Sequence, residues 1–332
     1  MKNNIMSAAL GLALGISASI AQAETVLRVG SVAPSKSPWG AWITEAAQKL
    51  EEVSGGELKL NLLLDGQIGD EVTMTRQAMK GRLDMIYVSN DPLAVVMPEM
   101  ELTVTPYLYD SVEQGSCVTN EHLAGIMGPL MATNGLVPIT WMEVGHTILF
   151  SREPIRTPDQ MKGVKIRVAN GVIKRDWMAS LGTTPSPLNV ADTVPALQTG
   201  ALDAVNLPVV YGIAVGIPKL APNVTLTRHF RITGALAISE RSWNKLSDQE
   251  KEWLMSVAPM GAKLSSMILG AENALLGQIK EAGVNVIELS DDEMAAWRAS
   301  AADAPEKAVG AVGGQAAEIM EKLQAAKAAC GN

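Results

Sequence analysis

Apolar and polar positions change period in blocks along this chain. Val26 to Ser31 is a short, mostly apolar run and predicts a strand. The next block, PWGAWITEAAQKLEEVSGG, places Trp39, Trp42, Ile43, Ala46, Ala47, Leu50 and Val53 on one face at a period near 3.6, which predicts a helix. Gly55-Gly56 stops it. LKLNLLL reads as a buried strand, GDEVTMTRQAMKGR as a second helix and LDMIYVS as a third strand. A β-α-β-α-β order of this kind calls for a mostly parallel sheet with helices on both faces.

Residues 98–110 hold two prolines and no steady period, so they read as a loop crossing the sheet edge. A helix follows over 112–133, then the strand LVPITWMEVG, and a second unit begins near His146. There TILFSREPI, VKIRV and LDAVNLPVV read as strands, TPDQMKG as a turn, KRDWMASLG as a helix and TPSPL as a loop. ALAISERSWNKLS opens a long helical region. Ser247 and Ser290 each precede a glutamate by three residues, the capping-box spacing, and AAEIMEKLQAAKAA closes the chain as a helix. No internal repeat or low-complexity linker divides the halves, which suits lobes joined by several chain crossings around a hinge.

The N-terminus changes the picture. Lys2, an apolar stretch from Ile5 to Ile20 and the small-x-small Ala21-Gln22-Ala23 form a signal-peptide pattern with cleavage before Glu24. Beyond it no run of about 18 apolar residues occurs, so an exported, soluble protein of two lobes is expected. Cleavage removes Lys2 and no acid, moving the formal charge from −8 to −9. Such a chain has no broad basic surface for nucleic acid or anionic lipid, though one focused positive site stays open.

The two cysteines, Cys117 and Cys330, are free to pair in an oxidising compartment, and the sequence leaves that bond open. His122, His146 and His229 have no metal-ligand spacing. Nucleophile-elbow, dinucleotide, P-loop and zinc-hydrolase motifs are all missing, and no acid–base pair presents itself, so a non-enzyme is expected.

Six segments in order carry a resemblance: LLLDGQIGDEVTMTRQAMKGRLDMIYVS (62–89), PEMELTVTPYLYD (98–110), WMEVG (141–145), PIRTPDQMKGVKIRV (154–168), LGTTPSPL (181–188) and ALQTGALDAVNLP (196–208). The chain resembles the extracytoplasmic solute receptors of tripartite ATP-independent periplasmic (TRAP) transporters, the DctP family. The resemblance implies a periplasmic binding protein-like α/β fold: two α/β lobes, a ligand cleft and hinge, and long C-terminal helices. Residues 24–146 with about 235–274 would form one lobe, and 147–234 with about 275–332, C-terminal helices included, the other. It further implies a periplasmic receptor that hands an organic acid to the small and large permease subunits; a monomer is expected because the sequence shows no coiled-coil heptads or unusual apolar terminal segment. A signalling partner on the same scaffold, or a cleft lyase or isomerase, are the alternatives.

In that family the arginine of the K-[IL]-R-[VP] segment clamps the ligand carboxylate and an asparagine further on adds a hydrogen bond; these map to Arg167 and Asn206. Read on its own residues, Arg167 lies between Ile166 and Val168 in an apolar strand, so its planar fork of five donors needs a partner: a ligand carboxylate or an internal acid. Many relatives have a second arginine where this chain has Thr147, with His146 beside it, which predicts a ligand with one dominant carboxylate and a hydroxylated, keto or apolar remainder. Trp39, with Ser37 and Pro38, follows the first strand and covers either ligand or core. Asn90 reaches the cleft or forms a turn with Asp91-Pro92; Tyr211 is a further cleft candidate, and Trp177 reads as core. Asp192 and Pro195 stand where relatives have an acid and a tyrosine, and Asp192 reads better as a helix cap. No cofactor is expected. Some relatives hold their acid through calcium or sodium, for which Asp203, Asp192 and Glu143 offer oxygens.

Overall fold

The computed structural model describes residues 24–331; the signal-peptide pattern of residues 1–23 lies outside them. Nine strands form one sheet: β1 (Thr25–Gly30), β2 (Leu58–Leu63), β3 (Met85–Ser89), β4 (Leu136–Ser151), β5 (Lys165–Val168), β6 (Thr184–Pro187), β7 (Ala204–Pro208), β8 (Asn223–Ser239) and β9 (Asn285–Ile287). Their order is β2-β1-β3-β8-β4-β7-β5-β6, with β9 on β8. The β1–β2, β1–β3, β5–β6 and β5–β7 pairs are parallel, whereas β4 and β8 run antiparallel through the middle.

β4 and β8 make the two lobes one sheet. At one end of the pair, Leu136–Met142 lies beside Gly234–Ser239 and joins the β1–β3 lobe; at the other, Leu149–Ser151 lies beside Asn223–Thr225 and joins the β5–β7 lobe. Register shifts fall at Pro138/Thr140, Glu143/Gly145 and Thr147/Leu149. Unequal numbers of residues on the two sides bend and twist a ladder, so the irregularities gather where one lobe passes into the other. Gly145 sits there with φ +121°, and a Cβ on it would come within 2.7 Å of Glu272 Oε1.

Both faces of the sheet are covered. Strand neighbours point to opposite faces: Met85 packs with Trp42, Ile43, Leu50 and Leu264, while Ile86 packs with Met74, Leu93, Met127 and Met131. The helix Pro38–Val53 forms as its apolar stripe predicts, with Ser37 Oγ accepting from the Gly40 N–H and Pro38 in the first turn. The segment Asp248–Glu281 is long and apolar enough, by length and composition, to cross a membrane. Its helix Met260–Glu281 instead lies along β4 with Leu264 and Ile268 in the core.

The structure departs from the sequence expectations in several places, among them LDAVNLPVV, where the strand ends at Pro208 and a helix runs over Val209–Ala214. Pro98–Val104 is a 3-10 helix rather than open loop. Thr184–Pro187 is a strand despite its two prolines, because β6 is an edge strand paired only to β5 and its missing donors face away from the ladder. His146 does not begin a new unit: β4 continues through it, and ALAIS is the end of β8 rather than the start of a helical region. Finally, the helix Ala316–Ala329 packs Met320 and Leu323 against Met127 and Met131, so the chain end returns to the first lobe rather than staying with the second. A Cys117–Cys330 disulfide, with Cα atoms 5.9 Å apart, fastens it there.

Candidate ligand-binding cleft

Between the lobes lies a cavity of about 500 Å³. The C-terminal ends of parallel strands feed it, the usual ligand position in open α/β sheets: Ser31 after β1, Ser89 ending β3, Arg167 in β5 and Asn206 in β7 all line it.

Arg167 is 6% exposed. Its Nε and Nη2 donate to the Leu188 carbonyl at 3.1 and 2.9 Å, and Nη1 donates to the Asn206 carbonyl at 3.3 Å. These bonds fix the plane of the guanidinium. Of its five N–H groups three are engaged, which leaves one on each terminal nitrogen. Burial pulls Arg167 below the usual guanidinium range; Asp91, Tyr211 and Glu71 oppose this through space, and none of them pairs with it directly.

The other cation in the lining, Lys174, is 2% exposed and forms an ion pair with Asp91. Two buried donors on the lining have no partner, Asn206 Nδ2 and Trp39 Nε1. Glu71 accepts from the Ser89 N–H at 2.9 Å and from its hydroxyl at 3.3 Å. Burial pushes the Glu71 carboxyl up to about 7, against the pull of the Ser89 N–H. Tyr211 is likewise raised by burial, to about 12, and its ring centroid is 6.4 Å from that of Trp39. Thr147, 3% exposed, completes that wall.

Five of the predicted residues therefore meet at one cavity: Arg167, Asn206, Trp39, Thr147 and Tyr211. Two do not. Asn90 is fully buried beneath it, donating Nδ2 to Thr103 Oγ1 at 2.6 Å. His146 is in the hinge, turned to the long helix, where its N–H donates to Glu272 Oε1 at 2.8 Å. The three acids named for a metal also stay apart from the cavity. Glu143 pairs with Arg231 in the hinge, Asp203 accepts from the Lys165 N–H at 3.0 Å, and Asp192 stands at the N-cap of Thr193–Gln198 without a side-chain cap bond. Among the described residues the one cluster with metal-ligand spacing is Cys117, His122 and Cys330, and its two sulfurs are bonded to each other. Trp177 is core, packed on Phe230 and Trp297.

Glu71, Asp91 and Lys174 went unnoticed in the sequence. Glu71 reads as a first-turn acid of the helix Asp70 caps, and Lys174 as the polar face of its own helix. Nothing local reveals that they face each other across a gap.

Comparison with known proteins settles the family. The model of the bacterial extracellular solute-binding proteins, family 7 (DctP), matches residues 29–309. The chain belongs to this family. Its relatives in the DctP family include the sialic acid-binding periplasmic protein of Vibrio cholerae, 28% identical over 280 residues that cover 83% of this chain and 86% of that one. Another is the ectoine-binding periplasmic protein of Halomonas elongata, 25% identical over 270 residues, 78% of each chain. Among solved DctP structures, the sugar acid-binding protein of Advenella mimigardefordensis in complex with galactonate superposes with a TM-score of 0.86 at 21% identity, covering 92% of this chain and 99% of that one. As a DctP protein the chain is a solute-binding protein of TRAP transport.

Proposed function

We propose that this protein captures a small organic acid with one dominant carboxylate in the periplasm and delivers it to the small and large membrane subunits of a TRAP permease. Arg167 carries the reading. It is a buried guanidinium held in plane by two carbonyls, with one N–H free on each terminal nitrogen. That arrangement suits the two oxygens of a carboxylate. Lys174 is engaged by Asp91 and Thr147 is uncharged, which supports a single anionic end on the ligand.

The test is a thermal-shift screen of protein unfolded and refolded to strip bound ligand, against mono-, keto-, hydroxy- and dicarboxylates, with and without calcium. A ligand that binds only the native state raises the melting temperature. Stabilisation by a monocarboxylate that disappears in Arg167→Ala is the expected result. Folded protein that responds to no carboxylate overturns the proposal.

A further inference from the structure

The helical stretch from Val112 to Thr133 is not α-helical throughout. Val112–Cys117 and Leu123–Thr133 are α-helices, and Val118–His122 between them is a π-helical turn. Along an α-helix, a residue five positions on is turned by about 140° from the first, at about 100° per residue. The wider π-turn takes up the extra residue and brings His122 back towards Cys117. There the sulfurs of Cys117 and Cys330 and a ring nitrogen of His122 all lie within 4.8 Å of one another, and all three residues are half-buried. Single π-turns inside α-helices are frequent at functional sites, and none of these three residues lines the cleft.

Oxidised, the two sulfurs form a disulfide, which has no thiolate to offer a cation. Reduction by a dithiol changes that. The dithiol becomes a disulfide itself, its two electrons cleave the Cys117–Cys330 bond, and its two protons end on the freed sulfurs. A divalent cation then displaces both protons and takes two thiolates and one neutral imidazole. The reduced cysteines stay together for this. The helix Ala316–Ala329 remains packed through Ile319, Met320 and Leu323, and Gln114 Nε2 donates to the Lys327 and Gly331 carbonyls. The sulfurs need part only until each stands about 2.3 Å from one ion, which side-chain rotation supplies when the Cα atoms are 5.9 Å apart.

We propose that Cys117, His122 and Cys330 form a zinc site in the reduced protein, so that a metal clasp replaces the disulfide at the end of the helix Ala316–Ala329. Two thiolates and an imidazole select a thiophilic cation such as Zn²⁺ over Ca²⁺ or Mg²⁺. Three protein ligands leave the fourth tetrahedral position to water. The site is separate from the cleft and does not depend on the carboxylate reading.

The test uses the purified protein, reduced with dithiothreitol and freed of it without oxygen, and titrated with cobalt(II) or zinc(II) alone. One equivalent of cobalt is expected to give a thiolate-to-metal charge-transfer band that zinc abolishes. Zinc is expected to raise the melting temperature of the reduced protein, and oxidised protein to show neither band nor shift. Cys330→Ser should remove the band. His122→Ala should stay folded by circular dichroism and lose about tenfold or more in zinc affinity, measured against a chromophoric chelator. A reduced protein that loses its fold, or keeps it and gives no band, overturns the proposal. So does an unchanged zinc affinity in His122→Ala, or an equal zinc response in oxidised protein.

Discussion

Lys174 and Asp91 form an ion pair across the cleft, one from each lobe. Asp91 lies in the helix after β3 and Lys174 in the helix after β5. A second tie runs beside it. The Glu101 carboxylate accepts the N–H groups of Val172 and Ile173 at 2.8 and 2.7 Å, at the start of the Lys174 helix. Gly171 leaves room for that carboxylate, since a Cβ there would overlap Glu101 Oε1. An acid at a helix N-terminus is favourable by charge as well as by hydrogen bonding.

These ties favour the closed arrangement. Asp91→Asn leaves the Lys174 charge buried and unpaired when the lobes meet, and opening relieves it by hydration. The expected outcome is a larger radius of gyration for the ligand-free variant in small-angle scattering. Affinity should weaken in proportion to the lost closed population. An unchanged scattering curve would show that the pair does not hold the lobes.

Arg167→Ala should weaken ligand binding by about two to three orders of magnitude, since breaking a buried charged pair costs about 3–5 kcal/mol and each 1.4 kcal/mol is tenfold. Arg167→Lys should recover only part of this. A lysine ammonium cannot hold two carbonyls in plane and present a fork at once. Calorimetry measures both, with circular dichroism to confirm folding. Wild-type affinity in either variant removes the clamp.

The fold was legible where one period held over a whole element, as in the stripe from Trp39 to Val53 and the capping boxes at Ser247 and Ser290. It was not legible in β4 and β8. Their register shifts interrupt the alternation of faces, so one long strand read as two pieces at His146. In the cleft, Arg167 stood out because a lone charge in an apolar strand demands an explanation. Asn90 misled because a polar residue at a strand end looks available to solvent, whereas Thr103, thirteen residues on, folds back to take its amide. Glu71 was silent because its role depends on Ser89 and on the opposite lobe, which no local window contains.

Glu71 gives the cleft a pH dependence. Burial raises its carboxyl from 4.5 to about 7, while Asp91 pushes in the same direction and Arg167 opposes. Lys174, on the far lobe, is paired to Asp91, and the Tyr211 phenol stays neutral through this range. A bound ligand carboxylate adds negative charge near Glu71 and favours its protonated form, so binding takes up a proton. Affinity should therefore rise as pH falls from about 8 towards 7, by at most about tenfold per unit, and level off below about 6. Glu71→Gln should flatten the profile. Calorimetry across this range, with proton uptake read from buffers of different ionisation enthalpy, decides the matter. A wild-type profile as flat as that of Glu71→Gln rules out the coupling.

The disulfide offers a test of how the chain end serves the fold. Cys117 and Cys330 are 213 residues apart, so their bond closes a long loop that takes in everything from Cys117 to the chain end and leaves out the first three strands. Cross-links stabilise mainly by restricting the unfolded chain, typically by about 2–4 kcal/mol. The helix Ala316–Ala329 also buries Ile319, Met320 and Leu323 against the first lobe, and Gln114 Nε2 donates to the Lys327 carbonyl at 3.3 Å. These contacts persist without the bond. Cys117→Ser with Cys330→Ser should therefore fold, with a urea midpoint lowered by an amount matching about 2–4 kcal/mol, and bind ligand nearly as wild type does. Ser116, next to Cys117, accepts from Arg231 Nη2 at 2.9 Å, and Arg231 pairs with Glu143 in the hinge. If loss of the disulfide also weakens ligand binding more than about tenfold, the helix holding Cys117 acts on lobe closure through that hinge pair, and the bond is more than a clasp on the chain end.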